Sequence, residues 1–161
     1  LTPPLFVHRR RVEFAETDMA GIAHYSRFLI WSEEAEHAFL RSLGLSVITQ
    51  LPDGQGAISW PRVSVGCDYS KPARFEDVLD IEVRVEKRGT KSVTYAFRFV
   101  RAGDGEELAR ARTTAVCCRF RRGDREGDGH RIESIPIPAA FDALRPSANP
   151  SPTQAPDPEP A

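Results

Sequence analysis

The chain of 161 residues is long enough for one well-packed domain and too short to divide into two. Its 22 Lys and Arg against 23 Asp and Glu leave a formal charge of −1, so no global field holds it to nucleic acid or an anionic membrane. No apolar run reaches the roughly 18 residues of a membrane span, and "LTPPLFVHRRR" places apolar residues before basic ones, the reverse of a signal peptide, so we expect a soluble cytoplasmic protein.

Phe6 to Phe14 alternates as a first strand, with Phe6, His8, Arg10, Val12 and Phe14 on one face. From Ser26 the period lengthens: Phe28, Trp31, Ala35, Ala38, Phe39 and Leu43 recur at helical steps, bracketed by Ser26 as N-cap and Gly44 as the residue after the C-cap. Glu33, Glu34, Glu36, His37 and Arg41 fall mostly on the other face, where most such acids are simply solvated.

Period two then returns. Ala57 to Asp68 reads as one strand kinked at Pro61, and Val78 to Lys87 as a clean strand with Ile81, Val83 and Val85 inward. Ser92 to Val100 sets Val93, Tyr95, Phe97 and Phe99 against Thr94, Ala96 and Arg98, and Glu107 to Arg121 is a long strand of small residues. The turns "RGT" and "AGDG" make these successive antiparallel hairpins. "RRGDREGDGHR" is a charged loop, and "IESIPIPAAFDAL" adds a short final element. The order predicts an α+β domain over 1–145, one long helix covered by a five-stranded antiparallel sheet whose open edges invite a second copy. From Pro146 to Ala161 no large apolar residue occurs, which predicts a disordered tail.

Cys67, Cys117 and Cys118 lack CxxC spacing, and His8, His24, His37 and His130 lack metal-ligand spacing. Neither a metal nor a redox site is expected, and the cysteines read as small strand residues in a reducing compartment.

The chemistry concentrates in "ETDMAGIAHYSRF", Glu16 to Phe28, where the first strand hands the chain to the helix N-terminus. Unpaired N–H groups and the positive end of the helix dipole favour a phosphate, a carboxylate or a developing oxyanion there. Asp18 stands beside that point and Gly21 allows a tight turn; Asp is also common in loops because it bonds nearby N–H groups.

"FAETDMAGIAHYSRF" with "EEAEHAFLRSLGL", together with "DYSKPARFEDVLDI" and "RGTKSVTYAFRF", resembles the acyl-CoA thioesterases of the hotdog fold, in the 4-hydroxybenzoyl-CoA thioesterase and YbgC-like branch. The resemblance spans about Leu5 to Leu144. It implies that Asp18 is the catalytic carboxylate, as nucleophile or as general base on water, and that the N–H of Tyr25 polarises the thioester carbonyl. His24 and Tyr25 stand in the reverse of the Tyr-His order usual in YbgC-like members, which puts the proton-transfer role of His24 in question. Glu33, Glu34 and Glu36 rank below Asp18 as a helix-borne carboxylate site.

Lys87, Arg88 and Lys91 around "KRGTK" form a basic cluster suited to coenzyme A phosphates, or else turn charges that keep the sheet soluble. Phe28, Trp31 and Trp60 are candidates for an acyl pocket, although aromatic residues at these spacings more often build core. The expected protein is an acyl-CoA thioesterase, a homodimer or homotetramer, with coenzyme A as part of the substrate and no other cofactor. A dehydratase or hydratase of the same fold, or a non-catalytic acyl-thioester or acyl-carrier binding module, are the rival readings.

Overall fold

The computed structural model describes residues 6–51, 54, 56–122 and 130–146. The expected disordered tail, apart from Pro146, and the greater part of the charged loop (123–129) lie outside them. Among the described residues no helix is long and apolar enough to cross a membrane.

The alternating runs form strands β1 (Phe6–Arg11), β4 (Arg62–Tyr69), β5 (Val78–Arg88), β6 (Ser92–Arg101) and β7 (Glu107–Val116). They assemble antiparallel in the order β1-β5-β6-β7-β4. Directly opposed residues share a face, so Tyr95 with Thr113, Phe97 with Ala111 and Phe99 with Ala109 place large aromatic rings beside small side chains. Helix α1 (Arg27–Ser42) packs on this surface against β1, β4, β5 and β7. Leu79, Ile81, Val83, Val85, Val93 and Phe99 are fully buried there.

The helix buries a stripe turned slightly from the expected one. Phe28, Trp31, Ala35 and Phe39 are inside as predicted, but Ser32, Glu36 and Leu40 join them while Leu43 is exposed. Ser32 is accommodated because its hydroxyl donates to the Phe28 carbonyl at 2.8 Å. Gly44, at φ 72°, ends the helix: its N–H donates to Arg41 O at 3.0 Å and that of Leu45 to Leu40 O at 2.8 Å, the paired bonds of a Schellman motif. Ser26 does not cap through its side chain; its hydroxyl is 2.8 Å from His24 Nδ1 instead.

Three strand expectations are corrected. The first strand stops at Arg11, and Phe14 begins a 3₁₀ turn (Phe14–Glu16) with its ring 75 % exposed, edge-on to Phe75. Ala57 to Asp68 is two strands, β3 (Ala57–Ser59) and β4, because the chain changes sheets at Pro61, which has no N–H for a ladder. Glu107 to Arg121 likewise divides into β7 and β8 (Cys118–Arg122). Cys117 between them donates to Lys91 O at 2.7 Å and accepts from Ile135 N at 2.9 Å.

The strands released by these breaks, β3 and β8, pair with each other and with β2 (Thr49–Gln50) and β9 (His130–Ser134) in a second antiparallel sheet, β2-β3-β8-β9. The final segment includes a 3₁₀ turn (Ala139–Phe141) whose Phe141 packs edge-on to Trp60, ring centroids 5.2 Å apart. All three cysteines are free thiols.

Candidate active site

The loop from Glu16 to Ser26 is stitched before the helix begins. Glu16 and Ala23 flank it: His24 N donates to Glu16 O at 2.9 Å, Thr17 and Ala23 form an isolated antiparallel bridge, and Ala23 N donates to Ala73 O at 2.8 Å. Within the loop, Asp18 N donates to Ile22 O at 2.9 Å and Gly21 N to Asp18 O at 3.0 Å. Gly21 has φ 71°, a left-handed conformation that a side chain disfavours.

The two acids of this loop have separate tasks. Glu16 is largely enclosed, and its carboxylate accepts from Arg10 Nη2 at 2.7 and 2.6 Å, from Trp31 Nε1 at 2.9 Å and from Glu13 N at 2.8 Å. Burial opposes its ionisation, but the Glu13 and Trp31 N–H groups and the Arg10 charge together hold its pKa below the usual carboxylate value. Arg10 also donates to Glu34 at 2.6 Å and lies over the Trp31 ring, 4.7 Å from its centroid. Glu16 thus fastens the loop to β1 and the helix, a role that no local pattern in the sequence announces.

Asp18 is exposed. Its Oδ1 accepts from Ala20 N at 2.8 Å, while Oδ2 receives no hydrogen bond among the described residues. With Ile22, Tyr25, Phe28, Tyr69 and Lys71 it lines a cavity of about 430 Å³ at the helix start. Tyr25 N–H donates to no acceptor among the described residues, and Tyr25 O accepts from the Tyr69 hydroxyl at 2.9 Å. Asp18 and Tyr25, two of the predicted site residues, are therefore brought together.

The other predicted residues are placed elsewhere. His24 does not line the cavity; Nδ1 is held by Ser26 and its ring stacks on Tyr25, centroids 4.4 Å apart. Lys87, Arg88 and Lys91 stand at the far end of β5 and β6, about 30 Å along the sheet from the loop. Arg88 donates to Phe141 O at 3.1 Å and Asp142 Oδ1 at 2.9 Å, and Lys91 to Ser134 O at 3.1 Å, so both secure the C-terminal segment. Of the candidate acyl-pocket aromatics only Phe28 reaches the cavity; Trp31 and Trp60 belong to the core.

The helix acids also separate. Glu33 is exposed, 3.8 Å from His37, and Glu34 pairs with Arg10. Glu36, expected on the solvated face, is buried, with Arg62 Nη2 2.9 Å from Oε2. No aligned N–H meets Oε2, so that contact is chiefly Coulombic, and burial pushes the Glu36 carboxyl up to about 7. Among the described residues no three His, Cys, Asp or Glu converge as metal ligands. A second hollow of about 530 Å³, lined by Ile48, Ala57, Ile58, Phe120 and Ile132, has no ionisable side chain among the described residues of its wall.

The sequence pattern of the thioesterase-like superfamily matches residues 12–145. The chain belongs to this family. The thioesterase is 30% identical over 112 residues to a 1,4-dihydroxy-2-naphthoyl-CoA hydrolase of Synechocystis, covering 70% of this chain and 80% of that one. It is 26% identical over 136 residues to the 4-hydroxybenzoyl-CoA thioesterase of a Pseudomonas species, covering 83% and 92%. Among solved structures, a gentisyl-coenzyme A thioesterase superposes with TM-score 0.70 at 28% identity, covering 85% of this chain and 99% of that one. The expected hotdog arrangement, one long helix on an antiparallel sheet, is the fold of this thioesterase.

Proposed function

We propose that this acyl-CoA thioesterase hydrolyses a hydroxylated aromatic acyl-CoA with Asp18 as the reacting carboxylate and Tyr25 N–H as a donor to the developing oxyanion. The observation that carries this reading is that Asp18 and Tyr25 line one cavity at a helix N-terminus, one Asp18 oxygen and the Tyr25 N–H having no hydrogen-bond partner among the described residues. Asp18 either removes a proton from water as it attacks the carbonyl carbon, or attacks itself to give a mixed anhydride that water then opens. In both routes the C–S bond breaks and coenzyme A leaves as the thiol. Carboxylate and N–H supply the chemistry, so the reaction needs no metal or prosthetic group.

The acyl class rests on two supports. The relatives are named for dihydroxynaphthoyl, hydroxybenzoyl and gentisyl thioesters, and Phe28, Tyr25 and Tyr69 offer aromatic surface in the cavity wall. Free-thiol release should therefore be faster with 4-hydroxybenzoyl-CoA or 1,4-dihydroxy-2-naphthoyl-CoA than with straight-chain acyl-CoAs, by about tenfold or more in kcat/KM. Faster release from the straight-chain series would overturn the aromatic assignment, and no release from any thioester would overturn the hydrolytic one.

We further propose that the enzyme acts as a homodimer or larger. The edge strand β4, which carries Tyr69 at its end, leaves Val63 and Val65 63% and 48% exposed in its first half, an apolar edge suited to a second copy. On this reading a contact between Lys87 and the coenzyme A phosphates is made by another subunit, given its distance along the sheet from Asp18. Sedimentation at micromolar concentration is expected to give a dimer or tetramer; a fully active monomer would refute the shared site.

A further inference from the structure

The Tyr25 N–H is useful to an oxyanion only if the backbone on both sides of it is held still, and its own peptide is held through the His24 carbonyl, which accepts from Arg27 N at 2.9 Å. Ala23 N is bonded to Ala73 and His24 N to Glu16, whereas the Tyr25 N–H has no backbone partner among the described residues. The peptide on the other side of Tyr25 is restrained from the sheet: Tyr69, the last residue of edge strand β4, donates its phenolic hydrogen to Tyr25 O at 2.9 Å across 44 residues of chain.

Tyr69 is well placed to act as a fixed post. Its backbone pairs in register with Ala109 on β7, and the following Ser70 and Lys71 N–H groups both donate to Leu108 O, at 2.8 and 3.1 Å. Its ring stands edge-on to Phe28, centroids 5.2 Å apart, and Phe28 is in turn packed on Trp31 and Phe99. Partial burial, followed by its neighbour Cys67, pushes the phenol pKa up to about 12, so the hydroxyl keeps its proton and remains a donor across the range in which enzymes are assayed.

We infer that Tyr69 is a positioning residue for the thioesterase reaction: by holding the Tyr25 carbonyl it fixes the peptide that follows Tyr25, and together with the Arg27 bond to the His24 carbonyl on the preceding peptide this sets the direction of the Tyr25 N–H toward the substrate oxygen. The inference rests on the proposed oxyanion role of Tyr25. A donor that need not reorganise during the reaction gains most of its advantage in the transition state, so loosening it should reduce kcat and leave ground-state binding almost unaltered.

The test is Tyr69→Phe, which keeps the ring against Phe28 and removes only the hydroxyl. Expected is a fall in kcat of about tenfold with KM within about twofold of wild type and the melting temperature nearly unchanged. Backbone ¹⁵N relaxation of the substrate-free protein should show Tyr25 less ordered in the variant, while Ala23 is unaffected. Unchanged kcat, or a loss of kcat with Tyr25 as well ordered as before, overturns the positioning role. The relaxation measurement needs no turnover, so it judges the Tyr69 tether even if the wild-type protein releases no thiol, an outcome that would instead reject the hydrolytic reading.

Discussion

Asp18→Asn should reduce kcat by roughly 10² to 10⁴ while leaving the fold intact, because it deletes the charge that attacks the carbonyl or activates water. The amide oxygen can still accept from Ala20 N, and the side chain is exposed, so neither the turn nor the core should notice. Asp18→Glu keeps the charge but displaces it; about 1 Å at the attacking atom costs on the order of 10², so that variant should also be poor. Thiol release and thermal unfolding of the two variants decide the matter. Near-normal turnover by Asp18→Asn would reduce Asp18 to a turn residue and direct attention to Glu33, which is exposed and free of the arginine pairing that engages Glu34 and Glu36.

The second large effect is on stability and lies in the core. Burial between helix and sheet raises the Glu36 carboxyl from an ordinary 4.5 to about 7, with Arg62 pulling it down and Glu33 adding to the rise. Tyr95 and Arg62 face it from β6 and β4. In the unfolded chain Glu36 releases its proton near 4.5, whereas in the folded protein it keeps it until about 7. The folded state therefore binds more protons across that window, and the Glu36 contribution to stability falls as pH rises through it, levelling off above 7.

Two and a half pH units correspond to about 3 kcal/mol. Glu36→Gln keeps the shape and cannot ionise, so wild type should lose about 3 kcal/mol relative to this variant between pH 4.5 and 8. Urea denaturation of both proteins at several pH values measures the difference directly, with the other carboxyl groups common to both. A difference that stays constant with pH would show that Glu36 titrates normally in the folded protein.

Much of this molecule is written locally. The change from period two to period 3.6 near Ser26 marked the helix, Gly44 marked its end, and the alternations in Val78 to Lys87 and Ser92 to Val100 assigned the inward faces of β5 and β6 correctly. Such features are legible because they depend on residues within one or two turns or strand steps of each other. Asp18 becomes a candidate the same way, from a short loop delivering the chain to a helix N-terminus, whereas Tyr25 becomes one only through the family resemblance.

What the tertiary structure alone decided depends on partners far apart in sequence. The runs around Pro61 and Cys117 both stay strand-like in composition across the break, so only the hydrogen-bonding partners show that each passes from one sheet to the other. Glu36 follows a helical spacing that suits either face, and the position of Arg62 on the edge strand is what allows it to be buried. Arg88 and Lys91 look like a free basic cluster until Phe141, Asp142 and Ser134 fold back on them. Glu16 and Tyr69 acquire their roles through Trp31 and Tyr25, contacts that exist only once helix, loop and sheet are packed. Backbone periodicity is a property of neighbours in the chain; the partner of a charge or hydroxyl is a property of neighbours in space.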